Sequence, residues 1–265
     1  MRKVYNLWND TPPYFNRAYG EFVPSLTDWN LDNNKINSCV IVVPGGGYSS
    51  RSEEYEGSKI CEFLNANGIA AFVLNYRISP YKHPCMEEDI KRAVRFVRFH
   101  SAEWNIDSSK ISVIGFSAGG HLCCMSGLRF DYGKTDGDEI DRISSRPDLA
   151  AVCYPVASLD RKITHTDTRD CLLGENADDS TADSLSPEKI VPDDAPPFFI
   201  WHTQADDGVN YECSMRFALA LGAKKIPYSL HIFPFGCHGL NLAENEPMAN
   251  MWPQLYLDWL RYYGF

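Results

Sequence analysis

"KISVIGFSAGGHL", Lys110 to Leu122, sets a serine between glycines directly after an apolar, β-branched run. The run reads as a buried strand, and "AGGHLCCMSGL" after the serine can continue as a helix. A strand–Ser–helix junction forces the serine into a strained, exposed turn, and the small flanking residues permit the tight approach. The helix N-terminus then points its free N–H groups at any oxyanion that develops beside it. The pentapeptide GxSxG is weak by itself: with glycine near 7%, roughly one chain in ten of this length contains it by chance. Ser117 is therefore a nucleophile only if a base, an acid and an oxyanion site lie elsewhere in the chain.

Outward from this stretch, short apolar strands alternate with amphipathic helices. "SCVIVVP" (Ser38 to Pro44), "IAAFVLNYR" (Ile69 to Arg77), "LAAVCYP" (Leu149 to Pro155), "PFFIWHT" (Pro197 to Thr203) and "YSLHIFP" (Tyr228 to Pro234) are continuous apolar runs, as in strands covered on both faces. Between them, Met86, Ile90, Ala93, Val94 and Val97 recur at helical spacing. Glu54 to Asn67, Asn210 to Ala223 and Pro247 to Tyr262 read as further helices. The alternation predicts an α/β fold: a doubly wound, mostly parallel sheet with helices on both faces. We expect one domain over residues 1–265, with 1–37 as an N-terminal covering segment. The polar, turn-prone stretch 156–196 is either a surface loop or a cap insertion.

Ligands of such sheets sit beyond the carboxyl ends of the strands, so the missing parts are sought there. His238, in "FPFGCHGL", follows the last strand in a glycine-flanked loop that leaves the ring free to reach a nucleophile. His202, within a buried strand, is the second candidate base, and His121 points into packing on the helix after Ser117. "WHTQADDGVN" ends a strand and supplies Asp206 and Asp207, one to orient the imidazole and the other to cap the next helix. "VVPGGGYSS" follows the first strong strand, and its glycines leave a carbonyl oxygen free to approach the backbone. Gly46, Gly47 and the N–H of Ala118 are the expected oxyanion donors. Tyr48, directly after the glycines, is expected at the rim of the site as a substrate-binding residue that limits acyl length. The phosphate-binding patterns GxGxxG and GxxxxGK[ST] are absent.

Composition narrows the partners. The chain is 44% apolar and 23% charged, a globular balance, and carries a formal charge of −10. No basic stripe appears, which argues against nucleic acid, and a neutral or cationic substrate suits the field better than an anionic one. Nine cysteines without paired CxxC spacing point to reduced thiols and a cytoplasmic setting rather than disulfides or a metal centre. No signal segment, membrane span, metal or cofactor is expected, and a homodimer is left open.

The blocks "VVPGGGYSSRSEEYEG", "AAFVLNYRISP", "ISVIGFSAGGHL", "LSPEKIVPDDAPPFFIWHTQADDGVN" and "LHIFPFGCHGL" resemble the α/β-hydrolases. They are most similar to small bacterial esterases related to acetylxylan esterases and hormone-sensitive-lipase-like carboxylesterases. The resemblance covers nearly the whole chain from residue 38 onward. It implies a serine esterase with Ser117 as nucleophile, His238 as base and Asp206, the residue three before a valine, as acid. The implied substrates are short acyl esters, among them O-acetyl groups of xylo-oligosaccharides or related sugars. Two positions depart from the pattern: Pro44 stands where related lipases have histidine, and Asn210 where proline is common. The first loosens the link to large-acyl lipases. Alternative readings are a prolyl-oligopeptidase-like serine peptidase and a catalytically inactive ligand-binding hydrolase fold.

Overall fold

The structure, a computed structural model, describes residues 2–265. The six apolar runs form β3 (Asn37–Val43), β4 (Ala70–Asn75), β5 (Ile106–Phe116), β6 (Leu149–Cys153), β7 (Phe198–Thr203) and β8 (Tyr228–Phe233). All pair in parallel. Two short strands, β1 (Val4–Asn6) and β2 (Ser25–Trp29), extend this sheet antiparallel, giving the order β1-β2-β4-β3-β5-β6-β7-β8. The N-terminal segment therefore does more than cover the sheet. It supplies the strand that occupies the free edge of β4, through pairs such as Leu26–Leu74 and Asp28–Phe72.

Side chains alternate across the sheet, which is why the strands read as continuous apolar runs. Ile41, Val43, Phe72, Leu74 and Val113 enter one core with α2 (Cys85–Phe99), α3 (Ala118–Leu128) and α6 (Glu212–Ala223). Val40, Val42, Val73, Ile114 and Phe116 enter the other with α1 (Lys59–Ala66) and α7 (Trp252–Tyr262). The helix expected from Glu54 begins instead as a π-helical turn, Glu53–Ser58, and becomes regular only at α1.

Residues 156–196 contain α4 (Thr166–Leu173) and α5 (Asp179–Asp183). Asp178 caps α5 by accepting from Thr181 N at 2.6 Å, and Nδ1 of His165 accepts from Thr168 N at 3.3 Å. Leu159, Leu172 and Leu185 are buried, so the stretch packs into the core despite its polar composition. Among the described residues, no helix is long and apolar enough to cross a membrane.

Candidate active site

Four loops converge beyond the carboxyl ends of β3, β5, β7 and β8. Ser117 sits between β5 and α3 with φ 53° and ψ −118°, a region that a residue with a side chain rarely occupies. Neighbouring backbone holds it there: its N–H donates to Cys153 O at 3.0 Å, and its carbonyl accepts from Val156 N at 3.3 Å. The turn is possible because Gly119 packs directly on the end of β3. A Cβ on Gly119 would collide with Val43 O and lie 2.6 Å from Pro44 O.

The Ser117 Oγ lies 2.8 Å from His238 Nε2. On the other side of the ring, Nδ1 lies 2.8 Å from Asp206 Oδ2 and 3.1 Å from Oδ1. A carboxylate can only accept, so Nδ1 carries the proton and Nε2 is left to accept from the serine hydroxyl. Asp206 Oδ1 also accepts from Gly208 N at 2.9 Å and Val209 N at 2.8 Å. Burial works against its charge, but hydrogen bonds from His202, His238 and the Val209 N–H prevail and hold its carboxyl well below the usual range. Asp207 plays a different part: its Oδ1 accepts from the backbone N–H of His238 at 3.0 Å.

His202 is fully buried and does not reach Ser117. Its Nε2 faces two acceptors, Asp206 Oδ2 at 3.1 Å and Val209 O at 3.0 Å, and so must donate to them. Its Nδ1 then accepts from Ser214 Oγ at 2.8 Å. A chain of hydrogen bonds thus runs from Ser214 through His202, Asp206 and His238 to Ser117.

In the glycine loop, the Gly45 N–H is already committed, donating to Glu56 Oε2 at 2.9 Å. Gly46 and Gly47 have φ of 132° and 62°, conformations that suit glycine. The N–H groups of Gly46, Gly47 and Ala118 have no acceptor among the described residues. Ala118 follows Ser117 directly, and Gly46 and Gly47 follow Gly45, on which a Cβ would stand 3.0 Å from Ser117 Cβ.

Tyr48 is not at the rim. It is completely buried, with its hydroxyl 2.7 Å from His121 Nδ1 and its ring edge-on to Tyr76. The positive φ of 58° at Tyr48 marks a turn in the chain there, and the ring lies in the core on the α3 side. His121 Nε2 donates to Leu185 O at 2.9 Å, so Nδ1 accepts from the tyrosine. Burial pushes the His121 pKa down to about 4 and keeps the ring neutral.

Two residues near the site had no motif to announce them. Glu56, from the π-helical turn, accepts from Tyr154 OH at 2.7 Å as well as from Gly45. Tyr154, just after β6, packs edge-on against the His238 ring with centroids 5.0 Å apart. The clue available beforehand was a glutamate among residues that begin an amphipathic helix, too common a pattern to mark it.

The profile of the BD-FAE family matches residues 29–221. The chain is 39% identical to endo-1,4-beta-xylanase B of Butyrivibrio fibrisolvens, an alignment covering 91% of this chain and 38% of that protein. It is 31% identical to the acetylxylan esterase of Xylanibacter ruminicola, covering 80% and 43% respectively. The chain thus spans less than half the length of these two relatives. Among solved structures, the acetyl ester-xyloside bifunctional hydrolase of Caldicellulosiruptor lactoaceticus superposes with a TM-score of 0.96 at 44% identity, covering 99% of this chain and 97% of that one. Matched over most of its length and sharing that sheet and its connections, the chain belongs to the BD-FAE family, on the α/β-hydrolase fold.

Proposed function

We propose that this chain is a serine esterase that hydrolyses short acyl esters, its substrates being O-acetyl groups on xylo-oligosaccharides or related sugars. The observation that carries the reading is the hydrogen-bonded line Ser117–His238–Asp206 beside three uncommitted backbone N–H groups. In this reading His238 Nε2 takes the Ser117 proton as Oγ attacks the ester carbonyl. The carbonyl π electrons move onto oxygen, where the N–H groups of Gly46, Gly47 and Ala118 stabilise the charge. The imidazolium returns the proton to the departing alcohol oxygen. Water then attacks the acyl-serine by the same route, releasing the acid. Asp206, held ionised, fixes the ring's tautomer and stabilises the imidazolium.

The acetylated-sugar part of the reading is supported by the likeness to the acetylxylan esterase and the acetyl ester-xyloside hydrolase. Tyr48 lends it no support, because its ring does not face the site. The net charge of −10 suits neutral sugar esters. Residues 156–196 serve, in this reading, as a fixed wall: Thr168 Oγ1 would lie 3.6 Å from a Cβ on Gly47. A reducing, cytoplasmic setting is favoured by nine unpaired cysteines, seven of them buried.

The test is a fluorophosphonate probe together with a substrate panel of acetylated xylo-oligosaccharides, simple acyl esters and a prolyl amide. Labelling of Ser117, lost in Ser117→Ala, with acetyl esters as best substrates, is the expected result. Turnover of the prolyl amide alone would favour a peptidase, and no labelling would favour an inactive fold.

A further inference from the structure

Glu56 is a buried acid with no cationic partner. It is 5% exposed, and no Lys, Arg or His nitrogen lies within ion-pair distance among the described residues. A carboxylate removed from water is costly unless its charge is put to use or well bonded. Both oxygens are bonded, and each bond leads to the site. Oε2 accepts from Gly45 N at 2.9 Å, at the root of the glycine loop, and Oε1 accepts from Tyr154 OH at 2.7 Å. The Tyr154 oxygen accepts in turn from Asn241 N at 3.1 Å, on the loop that carries His238. A Cβ on Gly45 would stand 2.7 Å from Glu56 Oε2 and 3.0 Å from Ser117 Cβ, so carboxylate and nucleophile flank the same glycine.

Resting on the esterase reading above, we propose that Glu56 is a positioning residue: its carboxylate ties the glycine loop to the His238 loop and supplies a second negative charge to the imidazolium that forms on His238. Asp206 faces the ring at Nδ1, Asp207 holds its backbone N–H, Ser117 faces Nε2 and Tyr154 packs on its edge. Glu56 lies behind Tyr154. Tyr154, Tyr76, Cys153 and Tyr55 sense the Glu56 charge, and burial raises the pKa of each, so these four stay uncharged near neutrality. Burial raises the pKa of Glu56 above the ordinary carboxylate value, and the Tyr154 and Gly45 hydrogen bonds and the nearby His238 offset only part of that rise. No proton passes through Glu56 in the reaction; it acts by holding and by charge.

Glu56→Gln tests this, because the amide keeps an acceptor for Gly45 N–H and can donate to the Tyr154 oxygen while removing the charge. An anion near His238 favours the protonated ring. The acidic limb of kcat/KM for 4-nitrophenyl acetate should therefore move to lower pH by about half a unit to one unit. The plateau should fall about tenfold, since the imidazolium in the transition state loses an anion. A folded Glu56→Gln enzyme with its limb within about 0.2 unit of wild type would overturn the charge role. If Glu56→Gln does not fold, Glu56→Asp keeps the charge and gives up a hydrogen bond, so its limb should stay put while kcat falls. A full-unit shift in Glu56→Asp would also overturn the proposal. Wild-type enzyme inert toward every acyl ester would sink the esterase reading instead, so the two failures are distinguishable.

Discussion

Gly119→Ala is the sharpest single test of how the site is assembled. A Cβ there would collide with Val43 O and lie 2.6 Å from Pro44 O, against roughly 3.3 Å for an ordinary carbon–oxygen approach. At least about 0.7 Å of separation must open between α3 and the end of β3. Neither side can yield by a rotamer change, because both are main chain and β3 is hydrogen-bonded to β4 and β5. Overpacking typically costs about 1–3 kcal/mol, and a backbone-on-backbone clash belongs at the upper end, about 3 kcal/mol. The displacement also separates Ala118 N–H from Gly46 and Gly47, which lie on opposite sides of that contact. A misplacement near 1 Å costs on the order of 10²-fold in rate, so kcat/KM for 4-nitrophenyl acetate should fall by roughly 30- to 100-fold. Urea unfolding measures the first quantity and initial rates the second. Gly222→Ala, near the end of α6, is the control. Its Cβ would meet Tyr228 at an ordinary 3.4 Å, so it should gain about 0.5–1 kcal/mol with the rate unchanged. If Gly119→Ala lost under about 0.5 kcal/mol and under twofold in rate, the claim of a rigid joint would be wrong.

Asp206→Asn should lower kcat by on the order of 10⁴-fold, while Asp207→Asn, which keeps an Oδ1 acceptor for the His238 backbone N–H and loses only its charge, should cost far less; the reverse ranking would reassign the acid. Tyr48→Phe should cost about 1–3 kcal/mol in urea, because it strands the buried Nδ1 of His121, and should leave acyl-length preference unchanged. His121, held neutral with a pKa of about 4, contributes stability that is complete above its ordinary 6.5 and is lost as pH falls from there toward 4. The loss is on the order of 3 kcal/mol and should be much smaller in His121→Asn; equal acid sensitivity of the two proteins would count against it.

The central strands were legible because both faces of the sheet are covered, which makes β3, β4, β6, β7 and the second half of β5 largely apolar. Strands β1 and β2 were not, because VYN is three residues long and SLTDW mixes polar and apolar residues. Their place is set by the free edge of β4, a tertiary fact without a local signature. Ser117, Asp206 and His238 could be singled out because their strand-end positions follow from chain order. The direction in which Tyr48 points could not, since a backbone turn at that residue decides it. Which glycine would lose its N–H could not be read either, since a side chain eleven residues later claims that of Gly45. His202 was visible as a histidine in a strand, but its bond to Asp206 depends on how the following loop folds back to bring Val209 beside it.

The antiparallel pairing of β2 with β4 bears on how the protein can be handled. Ala70 to Leu74 are buried, and β2 saturates one whole side of that strand's N–H and C=O groups. A shortened chain starting after Trp29 would bare a straight, apolar strand edge, which is a template for pairing with other chains. Such a truncation would favour aggregation during expression even though it leaves Ser117, His238 and Asp206 in place. Tags and fusions at the N-terminus face the same constraint, because whatever precedes β1 must leave residues 4–29 free to wrap the sheet.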